Sequence, residues 1–417
     1  MRRAAFAALL IVAVSVQCVF AVRLLAGAAY ASQAGAAAAN GDFSAAEHGY
    51  RQAVDLVPYR GDWVYSLAGL VRHVSGPGAA IPLYDHSLGL APFYEQAIVA
   101  KAESELETGR IDDAKASLER AWTITPYDWR VHHLAGVLAM QEQRPKDAVD
   151  ALRRAQELAP RLDPVIQTPL ADALYASAEY GEAVREASRA IQLQPLLPAH
   201  RLVRGKAHLA LGHAEDARKD LAWAARAYRA QMGRGRDVER ALFEAEERLA
   251  SAFIAERRPL DALEPLERLS GDSPDAAAEA AGRLLLWLQR MGARAPAELW
   301  AFVIDSLIEE GEFDKADESL ARCETLYPDG ADGIFIAPKA RVMLSRGRAD
   351  DALEFLMAAT DEAKSRPEYG VALAQAHALA GNPATAALEY RQLLDSSHSS
   401  PRIKRQAAEG LAALASQ

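Results

Sequence analysis

From Asn40 onward the apolar positions fall at helical spacing, and the whole arrangement then recurs at a longer interval. The stretch NGDFSAAEHGYRQAVDLVP (Asn40 to Pro58) returns, reworded, as SGPGAAIPLYDHSLGLAP, TGRIDDAKASLERAWTITP and EQRPKDAVDALRRAQELAP. The closing prolines Pro58, Pro92, Pro126, Pro160 and Pro195 are 34, 34, 34 and 35 residues apart. Inside each copy an alanine recurs, at Ala46, Ala80, Ala114, Ala148, Ala183 and Ala217. A second small residue follows seven positions on, at Ala53, Ser87, Ala121, Ala155, Ala190 and Ala224. Between them stands a larger apolar residue (Tyr50, Tyr84, Leu118, Leu152, Leu221), replaced by Ala187 only in the fifth copy.

Residues seven apart lie two turns apart on one helical face, and two small side chains there admit a close neighbouring helix. That neighbour precedes it in each copy, with facing positions such as Leu67, Ala68 and Val71, or Ala135, Gly136 and Ala139. Gly41, Gly109 or Gly212 supplies the turn between the two helices, where a left-handed residue ends the first. The closing proline cannot continue the second. A fixed period of this length predicts a solenoid of stacked helix pairs.

The pattern resembles the tetratricopeptide repeat family, whose 34-residue unit has a small residue at position 8, alanine at 20, a small residue at 27 and proline at 32. The resemblance implies an all-α, right-handed superhelical solenoid of antiparallel helix pairs. Six repeats occupy residues 23–230, and about four looser ones, anchored by Ala262, Ala316, Ala352 and Ala386, occupy 246–398. The best late copy carries Trp300, Gly311, Phe313, Leu320 and Pro328. Residues 231–245, within and after AQMGRGRDVER (Ala230 to Arg240), read as an insertion loop leading into a helix start. Asp275 to Met291 reads as a helix outside the simple count, and 399–417 as a C-terminal capping helix. Lys101 and Glu105 at inward positions of repeat three, and Pro265 in the second helix of repeat seven, predict local irregularity in both.

The first residues break the pattern. After MRR comes AAFAALLIVAVSVQCVFAV, nineteen residues without a charge, ending before Arg23. As a helix this length just spans a bilayer. A cleaved signal peptide is the alternative, with Val19-Phe20-Ala21 offering permissive residues at the cleavage site. The run is long for a signal core and repeat one begins at once, so residues 1–22 are expected to be an uncleaved anchor. Gln17 stands where a lipoprotein signal needs a small residue, which argues against lipidation of Cys18. Arg2 and Arg3 outnumber Arg23, so the positive-inside rule puts the repeats outside the cytoplasm. Alanine and arginine richness points to a bacterium. The expected location is therefore the inner membrane, single-pass, with the array in the periplasm, or the periplasm itself after signal cleavage.

Composition adds little to this. Half of the residues are hydrophobic and a quarter charged, as in an ordinary folded protein, and the net charge of −10 argues against nucleic acid or an anionic lipid surface as the principal partner. Cys18 falls in the apolar segment and Cys323 at a small packing position, so no internal disulfide is expected. No metal-binding, nucleophile-elbow or phosphate-loop motif is present, and GRGRD (Gly233 to Asp237) lacks the preceding strand and following lysine of a phosphate cradle. His132 and His133 point about 100° apart on a helix and make poor joint ligands. The acidic pairs Asp112-Asp113 and Asp350-Asp351 sit where second helices begin, a place the helix dipole explains. The expectation is a protein that is not an enzyme and takes no metal or small-molecule cofactor.

What remains is a surface. In the family, positions 2, 5, 9, 12 and 13 of the first helix line the concave groove, and the register puts Tyr65, Arg72, His73, Glu103, Arg130, His133, Tyr175 and Lys206 there. Aromatic and arginine side chains are the usual anchors of binding energy. The repeated lysine, arginine and asparagine set with which some members clamp a peptide carboxylate is missing. The resemblance implies a scaffold for protein partners, similar to bacterial inner-membrane members that assist secretion, cytochrome c maturation or polysaccharide export. The alternative is a glycan-handling accessory of an exopolysaccharide or O-antigen system, its groove tyrosines stacking on sugar rings.

Overall fold

In the computed structural model the 34-residue beat becomes a succession of helix pairs. The structure describes residues 2–160, 164–291, 295–328 and 333–415, with side chains from residue 14 onward except those of 164, 274 and 276. No strand occurs among the described residues. The chain divides into two compact units, Met1–Leu193 and Gln194–Gln417.

The first unit begins with α1 (Arg2–Ala39), packed on α2 (Phe43–Leu56). The pairs α3 (Gly61–Ser75) with α4 (Pro77–Leu90), α5 (Glu95–Glu107) with α6 (Ile111–Ile124), α7 (Trp129–Gln141) with α8 (Pro145–Leu158), and α9 (Pro164–Ala176) with α10 (Tyr180–Leu193) follow. The anchoring alanines Ala46, Ala80, Ala114, Ala148 and Ala183 are all 0% exposed. Position 8 shows why it must be small. A Cβ on Gly136 would lie 2.5 Å from Cγ of Leu152, the bulky residue of the facing helix. The turns between paired helices hold one residue at positive φ, Gly41 (81°) and Gly109 (73°) where the sequence offers glycine, but Gln143 (58°) and Ala178 (64°) in repeats four and five.

Repeat three is regular, contrary to expectation. α5 runs unbroken through Lys101 and Glu105 because their charges are neutralised. Buried Glu105 accepts a hydrogen bond from Ser117 Oγ (2.7 Å) and lies 3.4 Å from Lys101, which also reaches Asp85 at 2.6 Å. A buried charge is tolerated when paired and hydrogen-bonded.

The second unit starts with α11 (Pro198–Ala210) and α12 (Ala214–Arg229), Gly205 making room for Leu221 as Gly136 does for Leu152. Only Ala230 to Gly235 forms the expected insertion loop. α13 (Arg236–Ala255) begins already at Arg236, with Gly235 at φ 146° before it and Asp237 and Glu239 in its first turn, where acids favour a helix start. The second helix of repeat seven opens as a 3-10 turn, Pro259–Ala262, and becomes α14 (Leu263–Asp272), which leaves Pro265 in the first turn, where its missing N–H has no helical partner to lose. α15 (Pro274–Met291) is the extra helix, packed between α14 and α16 (Ala297–Glu309). α16 pairs with α17 (Phe313–Leu326), and α18 (Ile336–Ser345) with α19 (Ala349–Met357). A short α20 (Asp361–Lys364) leads to α21 (Pro367–Leu379), which pairs with α22 (Pro383–Asp395). Ala217, Ala262, Ala316, Ala352 and Ala386 are again 0% exposed. Cys323 fills its small packing position completely buried, and burial pushes its thiol up to about 12.

The terminal helix α23 (Pro401–Ala415) packs on α22 as a cap would; Ser416 and Gln417 lie outside the described residues. It also turns inward onto α14 and α21. Two glycines permit close approaches: a Cβ on Gly271 of α14 would stand 2.5 Å from Pro401, and one on Gly410 would run into the Tyr390 ring of α22.

Candidate functional site

The first helices α3, α5, α7 and α9 neighbour one another in order, so positions 2, 5, 9, 12 and 13 form a strip along them. Its centre is charged and internally satisfied. Arg72 of α3 donates to Glu103 and Glu107 of α5, each at 2.6 Å. Burial opposes the arginine's charge, but the two carboxylates outweigh it and raise its pKa. Tyr65 is half-buried beside them, its ring 5.0 Å edge-on from Tyr94 and 6.0 Å from Tyr84. Arg130 lies back on Asp128, the N-cap of α7, at 2.6 Å, and Asp128 first, then the more distant charge of Glu103, raise the arginine's pKa against the opposing effect of burial.

The remaining positions are spread along the strip. His73 is exposed at its α2 side, with its ring 4.2 Å from Phe43. His133 lies 6.3 Å from Trp129, while its neighbour His132 is buried, 2.9 Å from the Pro126 carbonyl and 4.5 Å from the Trp122 ring. The two histidines thus serve different surroundings. Tyr175 packs 5.6 Å from Tyr180. Lys206 belongs to the second unit, where it is bonded to Glu244 of α13 at 2.8 Å. The structure therefore brings Tyr65, Arg72, Glu103 and Arg130 together and places His73, His133 and Tyr175 along α3, α7 and α9, while Lys206 stands on α11 of the second unit.

Sequence reasoning missed what the same positions do in the late repeats. Counted in register they are Glu298, Ala301, Asp305, Ile308 and Glu309 on α16, Arg341, Leu344 and Ser345 on α18, and Glu368, Gln375, Ala378 and Leu379 on α21. α23 lies across them. Arg402 and Arg405 each reach Glu309 at 2.6 Å, Gln406 also donates to Glu309, and Arg341 donates to Asp305 at 2.8 Å. Arg402 stands 5.1 Å over the Phe302 ring, and Arg405 Nε donates to the Ser270 carbonyl of α14 at 3.1 Å. Burial alone would raise the Glu309 carboxyl, yet Arg402, Arg341 and Arg405 hold it below the usual range. Two clefts of about 190 and 510 Å³ flank the helix. In the smaller one Glu267 and Glu368 have raised pKa values, through burial first and then, for Glu267, through the neighbouring charge of Glu368. The available signal was the run of acids at groove positions, which calls for cations, and PRIKRQ at the other end of the unit, which supplies them.

The register, the paired helices and the buried alanines give the chain the tetratricopeptide-repeat fold. No family model and no curated protein matches the sequence. Among solved structures it is similar to PilF of Pseudomonas aeruginosa, 20% identical, covering 52% of this chain and 96% of that one with a TM-score of 0.42. It is similar also to PilW, a type IV pilus biogenesis factor (17% identical, 51% and 94% covered, TM-score 0.44). A third is YrrB, a TPR protein with an unusual peptide-binding site (18% identical, 47% and 95% covered, TM-score 0.35).

Proposed function

We propose that this chain is a non-catalytic scaffold, held in a bacterial inner membrane by α1, whose first unit binds a segment of an envelope protein in the periplasm. What carries the reading is the strip around Tyr65, Arg72, Glu103 and Arg130, over which no other described element of the first unit lies. Rigid tyrosines and a preorganised arginine suit capture of an extended or helical segment. Because Arg72 is already held by two carboxylates, a partner gains from it only by offering a better acid or by engaging Glu103 and Glu107 with its own cation. The membrane part of the reading rests on α1, where Val14, Val16, Val19, Phe20 and Val22 are each more than half exposed.

Crosslinking capture from native membranes tests the groove. The joint change Tyr65→Ala with Arg130→Ala should weaken capture at least about tenfold, or roughly 1.4 kcal/mol, at a temperature where circular dichroism shows the variant still fully folded. The matched pair Glu119→Ala with Arg153→Ala, on second helices, should not. The opposite outcome would move the binding surface off the groove. A periplasm-active phosphatase joined after Gln417 should be active, and activity from a cytoplasm-dependent reporter alone would contradict the orientation.

A further inference from the structure

The first three loops that join a second helix to the next first helix carry an aromatic residue directly after the proline: Tyr59 in 57–60, Phe93 in 91–94 and Tyr127 in 125–128. Apolar groups in a solenoid ordinarily turn inward, yet these three are 49, 79 and 75% exposed. Leu90, the last residue of α4, and Trp122, in the last turn of α6, are exposed as well. All three loops sit at the amino-terminal ends of first helices, so antiparallel pairing gathers them on one edge of the unit.

α1 leaves the unit at that same edge. It is one unbroken helix from Arg2 to Ala39. Its later part is the first helix of repeat one, seated by Gly27 against Trp63 and Val57 and by Ala34 against Gly49. Its earlier part projects beyond the edge with no spacer. Ring stacking fixes the junction: Phe20 lies 5.7 Å from Tyr59, with the two planes 5° apart. Ala4 to Val22 as a helix is about 28 Å long, close to the roughly 30 Å of bilayer hydrocarbon. Such a run has no length to spare, so Phe20 to Val22 must stand at the outer boundary of the hydrocarbon. Tyr59, stacked on Phe20, then stands there too.

We propose that this edge of the first unit rests on the bilayer, with Tyr59, Phe93 and Tyr127 set into the lipid headgroup region as interfacial anchors. The inference rests on the reading of α1 as an uncleaved span. Aromatic rings favour that region because one end is apolar and the other tolerates water, and the charges in the same loops are paired locally, Arg60 with Asp62 and Asp128 with Arg130, so these loops bring no net charge to the headgroups. The consequence for binding is that the groove strip is held at a fixed height along the membrane, which suits a partner that is itself membrane-bound.

The test uses the full chain in vesicles of phosphatidylethanolamine and phosphatidylglycerol, with an environment-sensitive fluorophore on a single cysteine. In a Cys18→Ser, Cys323→Ser background, the label is placed at Tyr127→Cys or, on the opposite edge, at Thr108→Cys. A third protein keeps Cys18 and carries Cys323→Ser alone. Lipids with a nitroxide near the headgroup should quench the label at 127 at least about threefold more than the label at 108. Adding Tyr59→Ser and Phe93→Ser should remove most of that difference while the circular dichroism spectrum stays the same. Equal, weak quenching at 127 and 108, with the Cys18 label quenched by a nitroxide on the upper acyl chain, would overturn the proposal and leave the anchor standing. A Cys18 label in water would overturn both.

Discussion

The two units use one repeat grammar and treat their grooves in opposite ways. In the first, the charges of the strip cancel among neighbours, Arg72 lying between Glu103 and Glu107, and no other described element of the unit covers it. In the second, Asp305, Glu309 and Glu368 face a single groove arginine, Arg341, and the deficit is made good by Arg402 and Arg405 of α23. Groove positions in this fold thus specify an occupant by their uncompensated charge. The first unit's strip carries no such deficit around Arg72, whereas the second unit meets its deficit with α23.

The largest effect should come from removing the in-chain occupant's charge. Arg402→Ala leaves Glu309 and Asp305 buried without it and should destabilise the second unit by about 3–5 kcal/mol, while hydrogen exchange over α1–α10 stays as it was. Equal loss of protection in both units would mean that they do not fold separately. Next, Ala148→Leu adds bulk at a fully buried helix contact of the first unit and should cost about 1–3 kcal/mol, far more than Glu182→Ala on its surface. Equal melting temperatures for those two variants would invalidate the repeat register. Smaller still, Ala178→Gly relieves a left-handed residue at φ 64° and should stabilise the first unit by roughly 0.5–1 kcal/mol. Arg257→Gly, at φ 61° in the corresponding turn of the second unit, should do the same there. A loss of stability in either would show that the side chain contributes more than its backbone strain costs.

The smallest change is one of slope. Burial raises Glu368 above its ordinary 4.5 in the folded state. Just above that pH the native protein keeps a proton that the unfolded chain has released, so this group makes stability fall as pH rises through the window. Glu309, held low by its arginines, acts in the reverse sense, losing its contribution as pH falls below the ordinary value. Glu368→Gln should therefore flatten the decline above 4.5 and leave the acid-side loss in place, as read from denaturant midpoints across pH. An unchanged profile would remove Glu368 from the account.

Much of this was legible in the sequence because repeat packing is local. Ten alanines chosen by spacing alone, from Ala46 to Ala386, are all fully buried, since each is decided by one facing helix nearby in the chain. The groove positions followed from the same count. What escaped notice depends on distance or on compensation. The bonds from Glu309 to Arg402, Arg405 and Gln406 join residues more than ninety apart, and nothing near either end announces the other. Glu105 looked like a defect because its remedy, Ser117 Oγ, lies on the partner helix rather than in the local pattern. Gln143, Ala178 and Arg257 hide turns that glycine marks elsewhere.

The placement of α23 also bears on the order in which the molecule can be made. Stacked repeats touch only their neighbours, so a nascent array acquires structure as it emerges, with little loop closure to wait for. The second unit cannot finish this way. Glu309 and the Ser270 carbonyl await groups 93 to 135 residues later, and closing so long a loop slows folding. Until α23 arrives, the carboxylates of Asp305 and Glu309 lack the arginines that neutralise them, so the late repeats reach their final stability only after that helix has docked.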